Sequence, residues 1–208
     1  MVTEQIAAAG ATGTVTELQA AYRSELRYIR STGGRSAAGN AGLSEARGEF
    51  LMFLDNDDLL FADHAEILVR ALLANPEAPA AYSLGWEVPT FYDQGGRYRE
   101  GVPYHVRSHA TRFEAQLLSR GNFLPIQNVL FRRGVFETHG GFDPEIDHLE
   151  DWNLWCRYAQ SGDFSYVPKT TSMYRVPGDQ IFLRSRTKVM LNAEAAVRAK
   201  NARYFPAH

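Results

Sequence analysis

The sequence predicts an α/β protein with a mostly parallel central sheet flanked by helices, and three observations carry that expectation. Phe50-Leu51-Met52-Phe53-Leu54 is a run of five apolar residues without alternation, the pattern of a strand covered on both faces. Ile126 to Phe131 is a second segment of the same buried type. Before and between them, short helical and strand-like segments alternate, as in chains that layer helices on a sheet.

Taken in order, Met1 to about Thr14 is Ala/Gly/Thr-rich and weakly patterned. Thr16 to Tyr22 reads as a helix, with Leu18 and Tyr22 on one face. Leu26 to Arg30 alternates as a strand, Ser31 to Gly34 is a loop, and Ser36 to Ala46 is a helix of small residues ended by Gly48. Such small side chains let a backbone pack closely on a sheet or a ligand. After the first apolar strand, Asp63 is expected to cap a helix with Ala65, Leu68, Val69 and Leu72 on one face, stopped by Asn75-Pro76. Ala80 to Leu84 reads as a strand, its apolar content carried on by Trp86 and Val88. Phe91 to Tyr104 is aperiodic and rich in Tyr, Gly and Arg, as a mobile loop would be. Thr111 to Ser119 reads as a helix with Gly121 beyond its end, and Gly134 to Thr138 as a short one closed by Gly140-Gly141.

The 208 residues suit one domain over 1–208, with a core from about 15 to 175 and a helical extension after about 179. A net charge of −2 speaks against a nucleic-acid partner held by bulk electrostatics. Cys156 is the sole cysteine, which excludes an intrachain disulfide and fits a reducing compartment. No apolar run is long enough to span a bilayer, and the first residues lack the pattern of a secretory signal. The expected location is therefore the cytoplasm, with peripheral association to the inner face of the membrane left open.

Two stretches carry chemistry. Asp55-Asn56-Asp57-Asp58 follows the first apolar strand at its carboxyl end, the edge where ligands bind in open α/β sheets. Asp55 and Asp57 lie two apart on a turn, so both can reach one hard divalent cation together with phosphate oxygens. The same residues serve equally well as an Asx-rich turn capping the next helix. The second stretch, Glu150-Asp151-Trp152-Asn153-Leu154-Trp155, reads as a helix start with Trp152, Trp155, Cys156 and Ala159 on one apolar face. By spacing alone, the helix dipole accounts for Glu150 and Asp151. The competing reading makes one of them a base at the edge of a cleft. His105 and His109 read as surface residues, and His148 as the histidine nearest the cleft. Arg132 and Arg133 have the best claim among the arginines to an anionic ligand.

Ser36-Ala37-Ala38-Gly39-Asn40-Ala41-Gly42, Ala46-Arg47-Gly48-Glu49-Phe50 and Phe53-Leu54-Asp55-Asn56-Asp57-Asp58 closely resemble family 2 glycosyltransferases of the GT-A fold. The resemblance resumes at Val129-Leu130-Phe131-Arg132-Arg133, Gly140-Gly141-Phe142-Asp143 and the Glu150 stretch, and again near Tyr166-Val167-Pro168 and Tyr174-Arg175. It implies a Rossmann-like GT-A sheet, a nucleotide-diphospho-sugar donor, and Mn²⁺ or Mg²⁺. It also implies transfer with inversion to a saccharide or lipid-linked acceptor of a cell-surface polymer. Asp55 and Asp57 match the family's DxD, which holds metal and donor diphosphate. Asn40 and Arg47 stand at further donor-side positions. Asp151, and after it Glu150, matches the acid that takes the acceptor proton. Trp152 and Trp155 either stack on sugar or pack in the core.

The sequence departs from that family in places. Such proteins open with a strand ending in a Pro-x-Tyr-Asn-like turn and a second ending in Asp-Asp-Gly-Ser, both contacting the nucleoside. By this comparison the chain is truncated at its N-terminus by about one βαβ unit, with Gly10-Ala11-Thr12-Gly13-Thr14 where the second turn would end. Gly39 stands where the family usually has Arg, and Pro177 follows Val176 where a metal-ligating His is common. Two functions stay open: an active metal-dependent transferase, or a GT-A-like domain that folds without catalysing and serves as a binding or partner module. A sheet edge left bare by missing strands would favour a homodimer.

Overall fold

The computed structural model describes residues 28–205. The helix expected over Thr16–Tyr22 and the Gly10–Thr14 segment lie outside them. Of the strand expected over Leu26–Arg30, only Tyr28–Arg30 are described, and they form no regular element.

Among the described residues, six α-helices surround one six-stranded sheet. Helix α1 (Arg35–Glu45) leads into β1 (Phe50–Met52), and β2 (Leu59–Leu60) precedes α2 (His64–Ala74). The long β3 (Ala80–Tyr92) turns back into β4 (Tyr98–Glu100), followed by α3 (Ala115–Arg120), β5 (Val129–Arg132) and α4 (Arg133–His139). Helix α5 (Glu150–Tyr158), the long β6 (Ser165–Pro177) and α6 (Gln180–Asn201) complete the chain. Strand order is β1-β5-β3-β6-β2, with β4 also on β3.

Both faces of the sheet are covered, and the period of two along each strand shows how. Leu51, Ala80, Tyr82, Val129 and Phe131 point into one cluster with Trp152, Leu154, Trp155 and Cys156 of α5. Their neighbours Ala81 and Leu130 point the other way, against Leu68, Val69 and Leu72 of α2, with Phe50 and Met52 alongside. That double coverage is why the run from Phe50 shows no alternation. It does not report strand direction. β3 and β6 run parallel, whereas β1–β5, β3–β5, β2–β6 and β3–β4 are antiparallel, so the sheet is mixed where a mostly parallel one was expected. β1 is also shorter than the apolar run. Its partner β5 begins only after a 3₁₀ turn over Ile126–Asn128, so the ladder ends at Met52 opposite Leu130.

Phe91 to Tyr104, expected as a loop, is largely a hairpin. Asp93 Oδ1 accepts the backbone N–H groups of Gly95 (2.8 Å) and Arg97 (2.9 Å), and Gly96 adopts φ +77° at the turn. Asp63 occupies the position before α2 but makes no capping bond. Its carboxylate pairs with Lys169 instead, at 2.5 Å. No helix among the described residues is long and apolar enough to cross a membrane.

One buried polar group joins α2 to the sheet. His64 is 1% exposed, with Nδ1 2.7 Å from Thr171 Oγ1, which lies 2.6 Å from Ser83 Oγ. Burial lowers the His64 imidazole to about 4, so it folds neutral. An unfolded histidine binds its proton near 6.5, so stability is complete above that pH and drains away as pH falls towards 4. The loss is about 3 kcal/mol at most. The stability difference between the unaltered chain and His64→Asn in denaturant melts should shrink as pH falls from 7 to 4, a comparison that cancels the opposite trend of the Asp58 and Asp151 carboxyls; a difference that does not change with pH assigns the loss to other groups.

Candidate functional site

The acidic turn hangs from the end of β1 and is closed by the Asp58 N–H donating to the Asp55 carbonyl (3.2 Å). β2 then pairs with β6, Leu59 opposite Met173, which presses the turn against Arg175. The Arg175 N–H donates to Asp58 Oδ1 at 3.3 Å, and its guanidinium donates to the Asp57 carbonyl. The same guanidinium reaches Glu100 Oε1 at 2.6 Å and lies over the Tyr98 ring, so the β3–β4 hairpin braces the turn. Burial, then Asp57 and Asp55, push the Asp58 carboxyl up to about 7. Three acids thus crowd one turn with their repulsion only partly relieved. The carboxylate of Asp57 is exposed and makes no hydrogen bond among the described residues.

Across from this turn stands the start of α5. The residue before it, Leu149, has φ +61°, the one non-glycine in the left-handed region among the described residues. That bend turns the chain abruptly into the helix and leaves Glu150 and Asp151 in its first turn. Glu150 is 6% exposed. Asp151 accepts from Asn122 Nδ2 through Oδ2 (2.8 Å) and from the Trp152 N–H through Oδ1 (2.8 Å). Burial, and after it the charge of Glu150, raise the Asp151 carboxyl to about 7, with the two hydrogen bonds opposing. A carboxylate poised near neutrality and oriented by an amide is what a general base requires.

One side chain joins the two acidic elements. Arg35, the first residue of α1, donates through Nη2 to Asp55 Oδ2 and through Nε to Glu150 Oε1, both at 2.8 Å. Helix α1 is held in that place by Ser36 Oγ on the Ile146 carbonyl (2.5 Å) and by Asn40. Asn40 Nδ2 donates to the Phe142 carbonyl at 2.9 Å, and its Oδ1 accepts the Phe142 N–H at 2.7 Å. Both ends of the amide are thus engaged with the Gly141-Phe142 backbone, and a Cβ on Gly141 would overlap Asn40 Oδ1.

Arg47 lies elsewhere. α1 and β1 run in opposite directions, so Arg35 and Asp55 share one end while Arg47 is exposed at the other, about 16 Å of helix away. There it shares a shallow depression with Glu49, Arg133 and Val135. Arg132 and Arg133 are also at that end, bound to backbone. Arg132 donates to the carbonyls of Leu72 (2.7 Å) and Ala78 (3.1 Å), and Arg133 to those of Ala46 (2.5 Å) and Gly48 (2.8 Å). Their expected claim to an anionic ligand gives way to tying chain segments together. His148 is exposed beside the site.

Trp152 and Trp155 belong to the core. Each is 1% exposed or less, and their indole N–H groups donate to the carbonyls of Leu118 (2.6 Å) and Leu124 (3.1 Å). Cys156 beside them is buried, its thiol pushed up to about 12 by burial, which makes it a packing residue. Arg35 and Asn122 escaped the sequence reading. The only trace they left was position: Arg35 heads the small-residue helix, and Asn122 follows the glycine after α3.

Among the described residues no three His, Cys, Asp or Glu side chains form a ready cage for a metal. The donor set nevertheless suits a hard divalent ion that takes two carboxylates and completes its shell with phosphate oxygens and water.

Residues 10–140 match the family described as "Glycosyl transferase family 2". Over 146 residues the chain is 24% identical to "Uncharacterized glycosyltransferase YwdF" of Bacillus subtilis, covering 70% of this chain and 52% of that protein. It is 28% identical over 163 residues to "Putative glycosyltransferase EpsH" of the same organism, covering 75% and 46%. To an uncharacterized glycosyltransferase of Rickettsia conorii it is 33% identical over 183 residues, covering 81% and 27%. The chain thus spans about half the length of the first of these curated relatives and less of the others. Among solved structures, S. aureus TarS is similar with a TM-score of 0.62 at 17% identity, over 97% of this chain and 60% of that one. The mannosyltransferase PcManGT of Pyrobaculum calidifontis, in complex with GDP-Man and Mn²⁺, gives 0.57 at 18%, over 98% and 63%.

Proposed function

The chain belongs to glycosyl transferase family 2 and has the GT-A fold, and from that premise we propose that it is a metal-dependent inverting glycosyltransferase. It moves a sugar from a nucleoside-diphosphate donor to a hydroxyl of a saccharide or lipid-linked acceptor. The observation that carries this reading is the Arg35 bridge, because it sets the acidic turn and the α5 acids on one cleft. In this reading Asp55 and Asp57 hold Mn²⁺ or Mg²⁺, which when bound neutralises charge developing on the leaving diphosphate. Asp151, on the far side of the transferred sugar, accepts the acceptor's hydroxyl proton as the new C–O bond forms and the bond to the diphosphate breaks. Asn122 orients the Asp151 carboxylate through Oδ2. Two solved relatives support the ligand class: one TarS structure is a complex with UDP, and PcManGT carries GDP-Man and Mn²⁺.

In this reading Asn40 and Arg47 are assigned no direct contact with the donor. One holds the Phe142 turn, and the other lies at the far end of β1.

Calorimetric titration of the 208-residue chain with UDP and GDP, each with and without Mn²⁺, tests the reading. Binding that needs the metal is expected. If neither diphosphate binds in its presence, the enzyme reading falls and the chain is a GT-A module of another use.

A further inference from the structure

Arg35 does more in this structure than fill a gap between acids, and the following rests on the transferase reading above. Its guanidinium splits between two elements, Nη2 on Asp55 of the acidic turn and Nε on Glu150 of α5, each at 2.8 Å. The Arg35 and Asp55 side chains are 58% and 41% exposed, so this contact is solvated and weak, whereas Glu150 at 7% is a fixed anchor. The other guanidinium at the turn, Arg175, is 15% exposed and committed to Glu100 and the Asp57 carbonyl. Among the described residues, Arg35 is thus the cation at this site free to change partners.

The helix face that carries Arg35 is covered one turn on by the Phe142 ring. Gly39, four residues later, has no room for a side chain, because a Cβ there would overlap the Phe142 ring. Any guanidinium that α1 presents to the cleft must therefore come from position 35. A divalent ion at Asp55 Oδ2 competes with the Arg35 guanidinium for that oxygen, since each is drawn by the same negative charge.

We propose that Arg35 is a positioning residue that exchanges partners: it neutralises Asp55 in the ligand-free chain, yields that carboxylate to the divalent ion, and, still held by Glu150, turns to the donor diphosphate. The exchange predicts a split that a structural role does not. With Arg35→Gln, the chain should bind Mn²⁺ alone about two- to fivefold more tightly, because a competing surface ion pair is gone. Binding of UDP or GDP at saturating Mn²⁺ should weaken by roughly ten- to a hundredfold, because a charge-assisted hydrogen bond to phosphate is lost. Free Mn²⁺ counted by electron paramagnetic resonance reads the first quantity, and calorimetry the second.

Arg35→Lys separates the two jobs, since it keeps the charge but lacks the separate Nε and Nη2 donors that serve Glu150 and Asp55. It should recover part of the diphosphate affinity, and its thermal melt shows whether α1 stays docked. If both affinities fall together in Arg35→Gln, or Mn²⁺ binding is unchanged, the exchange is wrong while the transferase reading stands. If the unaltered chain binds neither Mn²⁺ nor diphosphate, both fall.

Discussion

Asp151→Asn is expected to reduce sugar transfer by about 10²- to 10⁴-fold while leaving metal-dependent diphosphate binding within about twofold. The substitution keeps the shape of the side chain, and the Trp152 N–H still has an oxygen to donate to at Oδ1. What it removes is the basic carboxylate and, with it, the Oδ2 acceptor of the Asn122 amide. Turnover by the unaltered chain should rise with pH through about 7, where the raised Asp151 carboxyl loses its proton, and then level off. A second readout separates catalysis from damage. Asp151 binds its proton more tightly folded than unfolded, where 3.8 applies, so as pH rises from about 4 to about 7 its charge erodes stability. Asp151→Asn removes that cost, so its melting temperature should gain on that of the unaltered chain as pH rises from 4 to 8, whatever the lost Asn122 bond costs at every pH. A variant that is dead and gains relative stability with rising pH identifies a group held in a strained charge state for function. Retained turnover, or lost diphosphate binding, would move the base elsewhere.

Much of this site is legible in the sequence because each legible part has a local cause. The run from Phe50 is apolar because two helical layers sandwich it, and the acids must follow where the ladder stops. Glu150 and Asp151 are recognisable from the apolar face of α5 behind them, buried as Trp152, Trp155 and Cys156. What is hidden depends on distant contacts. Arg35 meets Glu150 across 115 residues, and nothing in its neighbours announces the pairing. Asn122 has the same character. Strand direction is equally silent, since β1 and β5 are buried alike whichever way they run. The Gly140-Gly141-Phe142-Asp143 motif is a conspicuous pattern whose work is structural, as the expected close of a short helix at Gly140-Gly141 anticipates. Gly140 closes α4 at φ +74°, Phe142 fills the space at Gly39, and Asp143 pairs with Lys200 at 2.8 Å.

The acidic turn admits two explanations from sequence, cation holding and helix capping, and Asp57→Asn divides them. Capping loses ground already, since the side chain at the cap position of α2 is turned to Lys169 and makes no bond to the helix. Asp57 is the clean probe of the three acids. Asp55 also carries Arg35, so replacing it breaks the bridge to α5, and Asp58 accepts the Arg175 N–H, so replacing it disturbs β6. The Asp57 carboxylate holds nothing among the described residues, and its carbonyl, which Arg175 uses, survives the substitution. Melting temperature should therefore stay within about 2 °C, a surface-level effect. Mn²⁺-dependent affinity for UDP or GDP should fall at least roughly ten- to a hundredfold, the loss seen even for supporting residues around bound metals. Metal-independent affinity should hold or rise slightly, because one carboxylate fewer faces the phosphates. Should affinity with Mn²⁺ match that of the unaltered chain, the cation has no seat on this turn, and the cluster reduces to a braced corner between β1 and β6.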